Sequence, residues 1–140
     1  AVDGGSQGGL LSLVVAALDE RVKCASVAYP AMGEVAGYYR GRADGWPHLF
    51  KNPQEPAIEQ KIAVSAYYDA INFARHVSQP VLFFLGYNDE VCCPTSTYAV
   101  YNVLTCPKQL VTPLDCAHWL YPEQEEMRAT WLLGQLGVDE

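Results

Sequence analysis

The sequence predicts an α/β fold in which a mostly parallel sheet is flanked by helices. Predicted helices and strands alternate along the 140 residues, starting and ending with a helix, which is typical of βαβ units. The segment 80–86 (PVLFFLG) is continuously apolar, as in a parallel strand covered on both faces. Half of the residues are hydrophobic and only 18% are charged, below the ~25% of typical domains. We therefore expect one domain with a well-buried core.

The first half of the chain supplies two helical regions and one strand. Residues 10–18 (LLSLVVAAL) are apolar almost all round and predict a helix packed deep against the sheet. Residues 22–29 are β-branched and apolar and predict a buried strand that ends before a proline. Residues 31–56 contain several glycines and prolines without periodicity and predict a long structured loop. Residues 57–77 are expected to be helical, in one or two pieces.

The second half completes the alternation. After the apolar strand at 80–86, residues 95–104 predict a helix that begins near a Pro-Thr-Ser sequence. Residues 109–114 predict a strand, although Pro113 favours a sheet edge or a strand end. Residues 122–136 form an amphipathic pattern with acidic residues in the first turn, where the helix dipole favours them. A final helix is expected there.

Charge and cysteine content exclude several functions. Nine Lys and Arg against 16 Asp and Glu give a net charge of −7, which argues against a nucleic-acid partner. No basic cluster suggests a membrane surface, and the apolar stretches are too short to span a bilayer. The five cysteines are an odd number without C-x-x-C spacing, so we expect free thiols and no zinc site. Phosphate-binding glycine motifs are absent from the sequence as well. We therefore expect no metal and no other cofactor.

The sequence GGSQG at positions 4–8 matches G-x-S-x-G, the nucleophile elbow. In this motif the serine lies on a tight turn between a strand and a helix, and glycines two positions either side avoid clashes between the two elements. Ser6 is thus a candidate nucleophile, and the backbone N–H of Gln7 is a candidate oxyanion donor. The alternative is an ordinary glycine-rich turn in which Ser6 caps the helix.

An acid and a histidine follow later strands, in the order that the elbow motif requires. Asp89 follows the strand at 80–86, and His118 follows the strand at 109–114. The carboxyl ends of parallel strands meet at one edge of a sheet, so both side chains are expected near Ser6. Glu90 is the competing acid.

Other residues fit the triad less well. His48 lies in the long loop without an acid in the required order, and His76 lies at a helix end, where surface positions are common. Asp115 is too close in sequence to His118 for the usual arrangement. The alternative for His118 is a structural histidine beside Trp119.

Three aromatic residues near the predicted site are candidates for stacking on a sugar ring. They are Trp46, Tyr87 and Trp119. Core or loop packing is the alternative for each of them.

Several separate segments resemble the acetyl xylan esterase / cephalosporin-C deacetylase family of α/β-hydrolases. They are GGSQGG, the stretch YYDAINFARHVSQPVLFFLGYNDEVCCPTSTYAVYNVLTCPKQL and the histidine that follows a strand. The loop GYYRGRADGWPHLF resembles a branch of acetyl xylan esterases from gut-type bacteria. The resemblance implies a serine carboxylesterase that removes acetyl groups from acetylated xylan, xylo-oligosaccharides and related small esters. It also implies homo-oligomers. The family's nucleophile, acid and base fall on Ser6, Asp89 and His118.

The chain departs from this family in three respects. Trp119 follows the histidine, where the family often has Glu, and the family's second oxyanion donor, from an Arg-Gly-Gln segment, has no counterpart. Only three residues precede the elbow glycines, whereas the fold needs earlier strands. We therefore expect residues 1–140 to be the C-terminal portion of a single α/β-hydrolase domain, beginning at the nucleophile elbow. The isolated chain is expected to be inactive or poorly folded without an N-terminal segment.

Two alternatives remain open. The same fold and triad also serve other acyl hydrolases and peptidases, because a fold does not fix the substrate. A non-catalytic α/β domain that kept the elbow shape is the alternative from another class, and the Ser, Asp, His order favours an enzyme over it.

Overall fold

The computed structural model describes residues 1–138 and contains a four-stranded, fully parallel sheet in the order β1-β2-β3-β4. In chain order the elements are β1 Val2–Gly5, α1 Gln7–Leu18, β2 Ala25–Ala28, α2 Ile58–Ser65, α3 Ala70–Ala74, β3 Val81–Phe84, α4 Pro94–Val103, β4 Lys108–Val111 and α5 Pro122–Leu136. The predicted α/β fold with a parallel sheet flanked by helices is confirmed.

Helices cover both faces of the sheet. On one face, α1, α3 and α4 pack through Leu13, Ala74 and Val100 against Val27 and Phe83 of the central strands. On the other face, Leu82 and Phe84 belong to a smaller cluster that includes Trp131 of α5. All residues of β2 and β3 are buried, which explains why the sequence shows continuous apolar runs there instead of alternation.

The elements differ from the prediction mainly at their ends. The strand β1 directly precedes the elbow, where the motif requires a strand. The predicted strand at 22–29 is only Ala25–Ala28, and the one at 109–114 is Lys108–Val111, so it ends before Pro113. The helical region at 57–77 is divided into two helices, and the side chain of Asp69 caps the second by accepting from the Ile71 N–H.

The long loop at 31–56 is structured, as predicted. It contains a short 3-10 helix, Tyr38–Arg40, and an antiparallel bridge between Gly45 and Cys92. The Asp69 carboxylate accepts hydrogen bonds from the backbone N–H groups of Glu34 and Val35, which ties the start of the loop to α3. Within residues 1–138, no helix combines the length and the apolar character needed to cross a membrane.

Candidate active site

Ser6 occupies a strained turn between β1 and α1. Its φ of 56° and ψ of −121° lie in a region that non-glycine residues rarely adopt. Three backbone hydrogen bonds fix this turn: the Ser6 N–H donates to the Ala28 carbonyl, and the Ser6 carbonyl accepts from the N–H groups of Leu10 and Ala31. Strain held in this way is typical of functional sites, since the surroundings must compensate for its cost.

The glycines around Ser6 differ in how much room the structure leaves for a side chain. A Cβ at Gly4 would lie 2.4 Å from the Gly8 carbonyl oxygen, and one at Gly9 would lie 2.9 Å from the Ala28 oxygen. A Cβ at Gly8 would meet nothing within 4 Å, so the expected clash at this position is wrong. Side-chain room is lacking at Gly4 because the strand faces the backbone of Gly8 across the turn.

The structure brings Ser6, Asp89 and His118 together in one hydrogen-bonded row. The His118 Nε2 atom lies 3.0 Å from the Ser6 Oγ atom, and His118 Nδ1 lies 2.8 Å from Asp89 Oδ2. Asp89 follows β3 and His118 follows β4, so both reach the carboxyl edge of the sheet. The arrangement has the geometry of a nucleophile, a base and an orienting acid.

Asp89 is held in place by more than the histidine. Its side chain is fully buried, and its Oδ1 atom accepts the backbone N–H groups of Val91 at 2.8 Å and Cys92 at 2.9 Å. The other oxygen is therefore the one available to His118. A carboxylate there favours the tautomer with the proton on Nδ1, which leaves Nε2 as an acceptor for the Ser6 hydroxyl proton.

A small cavity of about 170 Å³ opens beside the Ser6 hydroxyl. It is lined by Ser6, Gln7, Trp46 and Val91. Gln7 is the first residue of α1, so its N–H has no intrahelical acceptor and is available to an oxyanion. Trp46 is fixed by its own backbone, since its N–H donates to the Val91 carbonyl and its carbonyl accepts from the N–H of Met32, both at 2.9 Å.

The other two aromatic candidates do not line this cavity. Tyr87 is 52% exposed and Trp119 is 48% exposed, and both lie outside the set of residues around Ser6 and Gln7. Contact of Tyr87, Trp119 and Trp46 with a sugar stays a prediction.

The competing acid and bases have other neighbours. Glu90 is exposed, and the Asp115 carboxylate accepts from the Tyr121 hydroxyl at 3.2 Å. His48 Nδ1 lies 3.3 Å from Asp44 Oδ1 in the long loop, and His76 is exposed just after α3.

Two residues near the triad were not singled out in the sequence. The Tyr29 ring centroid lies 4.5 Å from that of His118, and burial raises the pKa of the Tyr29 phenol. Burial and the nearby Asp89 carboxylate raise the pKa of the Cys92 thiol to about 11, so it is protonated at neutral pH. The position of Tyr29 at the end of the strand next to β1 is the signal that could have identified it.

The described residues, 1–138, contain no group of three or more His, Cys, Asp and Glu side chains that could hold a metal ion. All five cysteines are free thiols.

A sequence model of the family described as "Acetyl xylan esterase (AXE1)" matches residues 1–134. The chain belongs to the acetyl xylan esterase family. The predicted resemblance is thereby confirmed, and so is the α/β-hydrolase fold. A curated relative, acetyl esterase Axe7A of Xylanibacter ruminicola, is 45% identical over 136 residues, which are 96% of this chain and 30% of the relative.

Two solved structures of acetyl xylan esterases are similar to this chain. The enzyme from Paenibacillus sp. R4 superimposes with a TM-score of 0.83 at 29% identity, covering 94% of this chain and 43% of that protein. Acetyl Xylan Esterase 1 from Thermoanaerobacterium sp. JW/SL YS485 gives a TM-score of 0.78 at 26% identity, with 95% and 44% covered. The chain thus spans less than half the length of these acetyl xylan esterases.

Proposed function

We propose that the protein is a serine carboxylesterase that removes acetyl groups from acetylated xylan, xylo-oligosaccharides and related small acetyl esters. The observation that carries this proposal is the row of hydrogen bonds from Ser6 through His118 to Asp89. Membership in the acetyl xylan esterase family supports the reaction class, and the small cavity beside Ser6 supports a short acyl group.

In the proposed first step, the Ser6 Oγ atom attacks the carbonyl carbon of the acetyl ester while His118 Nε2 takes the hydroxyl proton. The carbonyl π electrons move to the oxygen, which accepts a hydrogen bond from the Gln7 N–H. The C–O bond to the sugar then breaks, and His118 gives its proton to the departing sugar oxygen. An acetyl group remains bound to Ser6.

Water completes the cycle. His118 removes a proton from water, the resulting hydroxide adds to the acetyl carbon, and the bond to Ser6 breaks as its oxygen regains a proton. Acetate is released. Throughout, Asp89 holds the imidazole orientation and stabilises its positive charge without taking the proton.

We further propose that residues 1–140 are the C-terminal portion of one catalytic domain. The lengths of the relatives support this, and so does β1, which forms one edge of the sheet with pairing groups on its outer side. The outer face of α1 exposes the apolar side chains of Leu11, Val15 and Leu18. An exposed apolar patch is typical of a surface that another segment or protein covers. An N-terminal segment that covers this edge and this face would also supply a second oxyanion donor.

The test combines a covalent probe with a substrate panel on the full-length protein. A fluorophosphonate probe should label the wild type, and Ser6→Ala should abolish both labelling and 4-nitrophenyl acetate hydrolysis without lowering the melting temperature. Acetyl esters should be better substrates than longer acyl esters and aminopeptidase substrates. A folded protein that is not labelled would favour a binding domain, and preferred cleavage of peptides would favour the peptidase alternative.

A further inference from the structure

A second cavity, of about 520 Å³, lies on the side of the sheet covered by α1, α3 and α4. It is bounded by the loop after β2 and by α2, α3 and α4. Three arginines line it: Arg40, Arg42 and Arg75. Three of the five arginines of the chain therefore line one cavity, together with the carboxylates Glu34 and Asp69. We call it the arginine cavity.

The carboxylates of the cavity leave two of these arginines without an ion pair. Arg42 is paired with the buried Glu34. The Asp69 carboxylate is used by backbone N–H groups of Glu34, Val35 and Ile71. Among residues 1–138, neither Arg40 nor Arg75 takes part in an ion pair, and both side chains are exposed.

The charges of these two arginines act on the same place. Burial raises the pKa of Asp69, while the guanidinium groups of Arg40 and Arg75 lower it. Arg40 and Arg75 both line this cavity, and guanidinium groups, each with several N–H donors, suit a carboxylate in a bidentate geometry.

The cavity also offers acceptors for hydroxyl groups. The Ser65 hydroxyl donates to the Ile62 carbonyl, so its lone pairs are available, and the Asn72 Nδ2 atom donates to the Ala66 carbonyl, which leaves the amide oxygen to accept. In the described part of the chain, Glu34 Oε2 is buried without a hydrogen-bond partner. A buried acceptor of this kind is costly when it is not satisfied.

We propose that the arginine cavity binds a uronic acid sugar, whose carboxylate is held by Arg40 and Arg75 and whose hydroxyls donate to Ser65 and Asn72. A simple anion would use only the arginines, and a neutral sugar would use only the acceptors. The volume of about 520 Å³ admits a sugar ring. On the proposed function, this site would recruit xylan that carries uronic acid side chains. Binding itself does not depend on ester hydrolysis.

The test is a titration of D-glucuronate into the full-length Ser6→Ala protein, in which binding is measured by NMR or calorimetry. D-glucose and acetate are the controls. Glucuronate should bind saturably, and glucose and acetate should bind at least about ten-fold more weakly, because each loses one set of contacts. Arg40→Gln and Arg75→Gln should each weaken glucuronate binding by about ten-fold or more. Arg21→Gln, which makes the same charge change at an exposed residue outside the cavity, should leave it unchanged.

Several results would overturn the proposal. Binding that does not saturate, or acetate binding as tightly as glucuronate, would exclude a sugar acid site. An equal loss in the Arg21→Gln protein would show a bulk charge effect. Light scattering would detect a wild-type dimer that becomes a monomer in Arg40→Gln and Arg75→Gln. That result would show that the cavity contacts an acidic surface of a second subunit and not a sugar. Because the test measures binding and not activity, its result does not depend on whether the esterase proposal is correct.

Discussion

Replacement of Asp89 by Asn separates the acid's electronic role from its structural role. The Asn amide oxygen can still accept the N–H groups of Val91 and Cys92, now bonded to Asp89 Oδ1 at 2.8 and 2.9 Å. The amide NH₂ group then faces His118 Nδ1 in place of Oδ2, and it can only donate. His118 must therefore accept at Nδ1 and carry its proton on Nε2, which faces the Ser6 hydroxyl. A protonated Nε2 cannot take the serine proton.

We expect kcat for 4-nitrophenyl acetate to fall about 10⁴-fold in Asp89→Asn. The same Asp-to-Asn change in a serine protease triad causes a loss of this size because it leaves the histidine in the wrong tautomer. This corresponds to about 5.4 kcal/mol of transition-state stabilisation. The free energy of unfolding should change by less than about 1 kcal/mol, since both backbone bonds survive, whereas Asp89→Ala should lose about 1–3 kcal/mol for each unsatisfied N–H.

The matched control is Glu90→Gln, which makes the same acid-to-amide change at the next residue. Glu90 is exposed, so its activity and stability should match the wild type. The assay is steady-state hydrolysis by the full-length protein, with urea unfolding on the same samples. Activity above about one-tenth of the wild type in Asp89→Asn would refute the tautomer argument, given the ~10⁴-fold expectation. An equal loss of activity in Glu90→Gln would show that the assignment of Asp89 as the acid is wrong.

Three further predictions address the glycines of the elbow, the buried carboxyl group of Asp69 and the cavity beside Ser6. Gly4→Ala should destabilise the protein by about 1–3 kcal/mol because its Cβ meets the Gly8 carbonyl, whereas Gly8→Ala should stabilise helix α1 by about 0.5–1 kcal/mol; equal urea midpoints for the two would contradict this. Burial raises the pKa of Asp69, so the native state binds a proton more tightly than the unfolded state, and the Asp69 contribution to stability should fall as pH rises above about 4. This pH dependence should be absent in Asp69→Asn, and an unchanged slope between pH 4 and 7 would count against it. Val91→Ala enlarges the cavity beside Ser6 and should raise the butanoyl-to-acetyl ratio of kcat/KM by about ten-fold; an unchanged ratio would show that this cavity does not hold the acyl group.

The accuracy of the sequence predictions depended on whether local or distant residues set each boundary. The final helix was predicted at 122–136, the range Pro122–Leu136 of the structure, because local signals mark both ends. A proline and acidic residues begin it, and Gly137 ends it with a φ of 68°. The strands were predicted too long, since parallel strand ends are set by neighbouring strands. Residues 25–28 and 81–84 pair over four positions only.

The candidate site shows the same division. Ser6, Asp89 and His118 could be proposed from chain order, because the elbow motif and the ends of parallel strands place such residues at one edge. Which aromatic residue lies beside Ser6 could not be predicted. Trp46 reaches the cavity because its N–H bonds the carbonyl of Val91, 45 positions later in the sequence. No local pattern contains that contact.

The short segment after β3 links the proposed acid to the proposed acyl cavity. Asp89 accepts the N–H groups of Val91 and Cys92, the Val91 carbonyl accepts the Trp46 N–H, and Cys92 pairs with Gly45 in the facing loop. The carboxylate that orients His118 therefore also holds the turn that carries one wall of the cavity. Because the side chain has one oxygen for each task, the proposed chemistry and the proposed acyl selectivity both depend on the Asp89 carboxylate. A change that preserves Oδ1 while altering Oδ2 is thus the way to disturb the first without the second.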